Sequence, residues 1–286
     1  MPSRVRVLVP ASSANLGPGF DCLGLALGLY NTVEMTALDA GEGLQVEVDG
    51  EGADRLSADS NNLIVRAANT LWEKPGLGPT GVRIKAHNDI PLGSGMGASA
   101  AAAVAGLAAA NALAGGPLSR SDLLRLAYQL EGHPDNAAAA LFGGLTMVSA
   151  TGDELMHATL EVPPLKVAIA LPSVRLSTIE AREALPKNVP LQDAVFNIGR
   201  AAFVVRALQL GDYEMLGFAM TDKLHQPYRR KLIPGFDVAV SVARQAGAAA
   251  VALSGAGPSL AAFAPDHHWE IASAMKAAFE SVGVTC

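Results

Sequence analysis

Polar and apolar residues alternate from Arg4 to Val9, and the same two-residue period returns in Thr32 to Leu38, Leu44 to Val48 and Val82 to Ala86. Successive side chains of a strand point to opposite faces, so each segment predicts a strand with one buried face. Elsewhere the period lengthens. Asn62 to Trp72 carries Leu63, Ala67, Thr70 and Leu71 behind an Asn61 or Asn62 cap, and Leu118 to Leu130 opens on the cap signals Ser119 or Ser121. The alanine-rich run after Gly97 contains Ser99 and Asn111 and predicts a buried helix rather than a membrane span. A further helix is expected after Pro134, then a short strand from Leu145 to Ser149.

Beyond about residue 150 the pattern changes. Strands are expected at Leu165 to Leu171, Ala249 to Ser254 and Leu260 to Ala264. Helices are expected at Leu191 to Leu210, near Tyr213 to Leu224, at Gly235 to Gln245 and at His268 to Val282. Strands and helices mix without a regular βαβ rhythm, which favours α+β over a doubly wound parallel sheet. The expected organisation is two lobes, 1–150 and 151–286, with ligands in the cleft between them.

Composition narrows the function classes. With 286 residues, half of them hydrophobic, the chain can build one large core or two modest ones. Its net charge of −6 provides no basic surface for a phosphodiester backbone, so nucleic acid is not an expected partner. Two cysteines, Cys22 and Cys286, give neither zinc spacing nor a disulfide framework. The first residues lack a signal-peptide apolar run, and with no membrane span expected the cytoplasm is the expected location.

Candidate chemistry centres on Pro91-Leu92-Gly93-Ser94-Gly95-Met96-Gly97-Ala98-Ser99, which runs straight into the alanine-rich helix. Glycines at 93, 95 and 97 allow positive φ and close backbone approach. The helix start adds unpaired N–H groups and about half a positive charge, a setting for a polyphosphate. No lysine follows the last glycine, so this is not the P-loop spacing; a turn capped by Ser94 or Ser99 is the competing reading. A second glycine-rich stretch, Ser254 to Ser259, reads as a hairpin turn or as a wall of the same cleft.

Polar residues gather in three other places. Pro10 to Gly24 is an irregular loop carrying Asn15 and Asp21. Asn15 could fill a left-handed turn position and Asp21 could cap the segment Cys22 to Leu29, or both could bind a ligand. Glu131-Gly132-His133-Pro134-Asp135-Asn136 breaks between two helices. Glu131 and the Ser99 hydroxyl are hard oxygen ligands of the kind Mg²⁺ takes alongside phosphate, whereas His133 is read as closing its helix and Asp135 as an N-cap. Arg182 and Arg229 sit in polar stretches, where a guanidinium can grip a carboxylate in bidentate fashion or simply face solvent.

Taken together, Val9 to Gly24, Pro91 to Ala100, Glu131 to Asn136 with Phe142-Gly143-Gly144, and Ser254 to Ser259 resemble the four ordered motifs of the GHMP kinases. This superfamily is named for galactokinase, homoserine kinase, mevalonate kinase and phosphomevalonate kinase, and the homoserine kinase branch is the most similar. The resemblance implies a two-lobed α+β fold, a homodimer, and ATP-dependent phosphorylation of L-homoserine in threonine biosynthesis. By the same resemblance Pro91 to Ser99 wrap the ATP phosphates, and Ser99 and Glu131 hold Mg²⁺. Asn15, Asp21, Asn136, Arg182 and Arg229 surround the substrate, with Asn136, Glu131, Ser99 and Arg182 serving catalysis.

A zwitterion suits that set, because Asp21 can pair its ammonium while Arg182 and Arg229 hold its carboxylate. The family loop usually reads Gly-Leu-Gly-Ser-Ser-Ala; here Ala98 replaces one hydroxyl, which implies slightly altered nucleotide affinity. A base-free transfer is expected, with Asp135 as the alternative base. The competing functions are a same-fold kinase for an isoprenoid or sugar alcohol, and a nucleotide-binding regulator without catalysis.

Overall fold

A computed structural model describes residues 2–73, 78–152 and 154–286. The chain divides into two compact units that interleave along the sequence. The first comprises residues 1–12, 25–92 and 97–159, and the second 13–24, 93–96 and 160–286. Residues 13–24 and 93–96 thus belong to the second unit although they precede most of it in the chain.

The first unit is built from β1 (Arg4–Ala14), β2 (Leu23–Leu38), β3 (Leu44–Gly50), α1 (Leu63–Trp72), β4 (Gly81–Asn88), α2 (Ala98–Leu113), α3 (Arg120–Glu131), α4 (Asp135–Phe142), β5 (Leu145–Thr151) and β6 (Glu154–Leu160). Its sheet runs in the order β3-β4-β2-β5-β6, with β1 paired to β2. β2 and β4 are antiparallel, setting Val33 opposite Ala86 and Met35 opposite Ile84. All four of these side chains are buried, which fixes the register because a one-residue slip would turn them to the other face. β3 lies parallel to β4.

α2 packs against α1, α3 and α4. It is alanine-rich and buried along most of its length, so its neighbours approach closely. Closest is the crossing with α1, where a Cβ on Gly106 would stand 2.3 Å from the Ile64 carbonyl oxygen. Sequence caps hold as expected at two helices: Asn62 accepts from the Ile64 amide, and Ser119 forms a capping box with Asp122.

The second unit contains β7 (Val167–Ala170), α5 (Thr178–Glu183), α6 (Leu191–Leu210), α7 (Tyr213–Ala219), α8 (Gln226–Arg229), α9 (Phe236–Gln245), β8 (Ala250–Leu253), β9 (Leu260–Phe263) and α10 (His268–Ser281). The strands form an antiparallel sheet in the order β7-β9-β8. Leu253, Leu260, Ile271, Met275 and Phe279 fill the core among β8, β9 and α10. Among the described residues no helix is long and apolar enough to cross a membrane.

The α+β class holds, with several local differences. β2 begins at Leu23, nine residues earlier than Thr32, because Leu23-Gly-Leu-Ala-Leu-Gly-Leu offers apolar residues without polar alternation. Asp21 therefore caps no helix. α7 ends at Ala219 rather than continuing to Leu224, because the Asp222 carboxylate takes up the amides of Leu224, His225 and Gln226 and turns the chain. α5 and α8 are too short to show a period, and β6 is largely exposed.

The α1–α2 crossing makes a direct test. Gly106→Ala adds helix propensity but drives its methyl group into backbone, so it should lower stability by about 1–3 kcal/mol. An unchanged urea midpoint would contradict the close crossing.

Candidate active site

The residues singled out in the sequence fall into two groups, one in each unit. In the second unit, the loop between β1 and β2 takes left-handed backbone at Asn15 (φ 69°), Leu16 (φ 48°), Gly17 (φ 77°) and Asp21 (φ 53°). A non-glycine residue held so costs about 1–3 kcal/mol and persists only where its surroundings fix it. Here they do. Asn15 is buried, donates to the Gly255 carbonyl at 2.7 Å and accepts from the Asp21 amide at 2.9 Å. Asn15 thus occupies the left-handed turn position and aims Asp21.

The Asp21 carboxylate meets Arg182, the next-to-last residue of α5, through two parallel hydrogen bonds of 2.9 and 2.7 Å. About a third of each side chain stays exposed, so the pair is open to a ligand. The Phe20 ring lies under both arginines, 5.5 Å from the Arg182 guanidinium carbon and 5.1 Å from that of Arg229. Arg229 is almost wholly buried and donates to the Ala181 and Gly255 carbonyls at 3.1 and 3.3 Å.

The turn between β8 and β9 joins antiparallel strands as a hairpin, and it packs against residues of the same cluster. Ser254 donates to the Gly95 carbonyl at 2.8 Å. Gly95 sits at φ 77°, where a Cβ would fall 2.4 Å from the Ser254 carbonyl oxygen. Ser94 is buried, with its hydroxyl accepting from the Met96 amide at 3.2 Å. Gly93, also left-handed, has nothing near its missing Cβ.

In the first unit, Gly97 is the left-handed N-cap of α2, which has no side-chain cap. Neither Ser94 nor Ser99 closes that helix, and its first-turn amides carry the positive end of the dipole. A Cβ at Gly97 would lie 2.2 Å from the Ser12 hydroxyl and 3.0 Å from Asn136 Oδ1. Ser12 donates to that same oxygen at 2.9 Å, which fixes the Asn136 amide at the start of α4. Ser99, in the first turn of α2, donates to Glu131 Oε1 at 2.8 Å, and α3 stops just afterwards at left-handed Gly132. Asp135 is buried, accepts from the Asn136 amide at 2.8 Å and lies 3.4 Å from His133 Nδ1. Ala98 opens α2, and Leu92 lies over Gly52 just beyond Pro91.

Among the described residues no three His, Cys, Asp or Glu side chains group to hold a metal. One carboxylate beside one hydroxyl is nevertheless the donor set that suits Mg²⁺, which keeps waters and substrate phosphates for its other positions.

Sequence reasoning missed His225, Asp222, Asn197 and Ser12. Asp222 lies three residues before His225, a capping spacing that signals a turn but not the bonds that follow. The buried His225 ring stacks on Phe20 at 5.1 Å, with Nε2 2.7 Å from the Gly17 carbonyl and Nδ1 3.3 Å from Arg229 Nη1. Guanidinium only donates and a carbonyl only accepts, so the ring is neutral with its proton on Nε2. Burial lowers its pKa below the ordinary 6.5, and the Arg229 charge lowers it further against the opposing pull of Asp222 and Asp21.

Two matches cover separate parts of the chain: the GHMP kinases N terminal domain over residues 62–144 and the GHMP kinases C terminal domain over residues 204–281. The chain belongs to the GHMP kinase family, whose members are ATP-dependent small-molecule kinases. It is 46% identical to the homoserine kinase of Carboxydothermus hydrogenoformans over 91% of this chain and 85% of that protein. It is 44% identical to the homoserine kinase of Moorella thermoacetica over 98% of this chain and 94% of that one. The crystal structure of homoserine kinase from Cytophaga hutchinsonii superposes with a TM-score of 0.89 at 34% identity, covering 99% of this chain and 93% of that one.

The neutral His225 has a consequence for acid stability. An unfolded His225 takes up a proton near pH 6.5 and the folded one only at lower pH, so its contribution is complete above 6.5 and falls on acidification. His225→Gln should therefore lose less Tm than the parent between pH 7.5 and 5.5. Equal losses would contradict the assignment.

Proposed function

We propose that the protein transfers the γ-phosphoryl group of ATP to the side-chain hydroxyl of L-homoserine, giving O-phospho-L-homoserine for threonine biosynthesis. The observation carrying this reading is the half-open bidentate pair of Asp21 and Arg182 beside buried Arg229. A ligand bearing an ammonium and a carboxylate can exchange that one ion pair for two, while a ligand with one charge leaves a partner unmatched. The homoserine kinases to which the chain is similar agree with an amino acid acceptor.

In this reading residues 1–150 form the lobe with the ATP loop and residues 151–286 the C-terminal lobe. The loop from Pro91 to Ser99, including Leu92, Gly93, Ser94, Gly95, Met96, Gly97 and Ala98, wraps the triphosphate with backbone amides and the uncapped start of α2. Ser99 and Glu131 would hold magnesium, which would supply positive charge at the phosphates. Asn15 holds Asp21 toward the ammonium, and Arg182 with Arg229 supplies the positive field for the carboxylate. Ser12 commits Asn136 Oδ1, so the Asn136 amide nitrogen donates to the acceptor hydroxyl and orients it. Phosphoryl transfer needs positioning and charge stabilisation more than a strong base, so no residue is required to take the hydroxyl proton first.

A cytoplasmic location fits a chain with only two cysteines, too few for a disulfide framework. A homodimer fits the exposed apolar stripe of Leu191, Val195 and Ile198 on α6.

ADP release measured with ATP, Mg²⁺ and L-homoserine tests the activity, with mevalonate as the competing acceptor. Homoserine should be turned over and mevalonate, which lacks an ammonium, should not. Arg182→Ala and Asp21→Ala should each raise the homoserine KM about 10- to 150-fold, the worth of a charged hydrogen bond, and leave the ATP KM nearly unchanged. Their stability should fall by only about 0–1 kcal/mol, because the pair is partly exposed. Equal homoserine KM values would overturn the assignment.

A further inference from the structure

Besides the residues that meet ligands, the second unit contains a buried polar assembly that the proposed reaction does not use directly. Its hub is Asp222, whose side chain is fully buried. One carboxylate oxygen accepts from Asn197 Nδ2 at 2.7 Å and from the Leu224 amide at 2.9 Å. The other accepts from the His225 and Gln226 amides at 2.9 and 2.6 Å. An acceptor so fully used costs little to bury and fixes everything bonded to it.

Two arms leave this hub, and both end on the loop that carries Asp21. His225 reaches the Gly17 carbonyl through Nε2 at 2.7 Å. Asn197 reaches the neighbouring Pro18 carbonyl through Nδ2 at 3.2 Å, while its Oδ1 accepts from the Lys223 amide at 2.9 Å. The loop segment they hold is the one with consecutive left-handed residues Asn15, Leu16 and Gly17. Strained backbone of this kind relaxes unless something outside it holds it.

We propose that His225 and Asn197, organised by Asp222, are positioning residues that clamp the Gly17 and Pro18 carbonyls and thereby set Asp21 for the substrate ammonium. The link from carbonyls to carboxylate is short: Asp21 follows Pro18 by three residues, and its own amide is tied back to Asn15. His225 also joins the clamp to Arg229, whose Nη1 donates to the ring. One imidazole thus ties the loop bearing the anionic partner to the helix bearing a cation. The charged groups around the ring are Asp222, Arg229 and Asp21.

The proposal rests on the homoserine reading for its link to substrate, but the clamp itself can be measured without any substrate. Hydrogen exchange in the 13–24 segment should speed up at least tenfold in His225→Leu and in Asn197→Ala, with residues 268–281 of α10 unchanged. His225→Gln, which keeps a donor for Gly17, should exchange like the parent. In turnover, His225→Leu should raise the homoserine KM at least tenfold and leave the ATP KM within twofold, with Gln restoring it. Unchanged exchange in the 13–24 segment, or equal loosening of 268–281, would overturn the clamp. Faster exchange with an unchanged homoserine KM would overturn its role in setting Asp21. If His225→Leu does not fold, Asn197→Ala decides both. A parent protein that ignores homoserine would defeat the substrate reading while the exchange result still judged the clamp.

Discussion

Two parallel hydrogen bonds between Asp21 and Arg182 are the interaction on which the second unit turns. Opposite charges in this geometry need no ligand to be satisfied, yet remain exposed enough to be taken apart by one. Much of the surrounding structure keeps Asp21 in place. The loop adopts strained backbone, Asn15 ties its two ends, and a buried carboxylate directs an imidazole and an amide onto its carbonyls. Phe20 supplies an aromatic face to both arginines, which holds two like charges near one another without exposing either fully.

The first unit solves a different problem, which is to leave room near backbone. Gly97 and Gly106 are small where a larger side chain would strike Ser12, Asn136 or the Ile64 carbonyl. The same smallness leaves the start of α2 without a side-chain cap, so its amides and dipole are available for anionic oxygens. Ser99 and Glu131 provide the hard oxygens next to it. In the proposed reading, nucleotide chemistry falls to backbone and small residues, whereas recognition of the amino acid falls to fixed charges.

Much of this was legible in the chain itself. Period-two alternation located β3 and β4, and α6 spans Leu191–Leu210 as its pattern required. The glycine-rich loop and its helix were readable because glycine spacing is a local property. Asp21 and Arg182 were both singled out, but their pairing across 161 residues has no local signal. The Asp222 hub was invisible for the same reason: an aspartate in a polar stretch reads as solvated until the fold buries it. β2 escaped because glycine and alanine replace its polar positions, and Asn15 was readable as a turn residue without showing that the turn serves Asp21.

Binding of L-homoserine against two single-charge analogues tests the central claim most directly. Calorimetry with 4-hydroxybutanoate, which lacks the ammonium, and 3-aminopropan-1-ol, which lacks the carboxylate, would be run with and without a non-hydrolysable ATP analogue. The account predicts that homoserine binds and that each analogue binds at least about tenfold more weakly, the loss of one charged hydrogen-bonded contact. Either analogue binding as tightly as homoserine would contradict it.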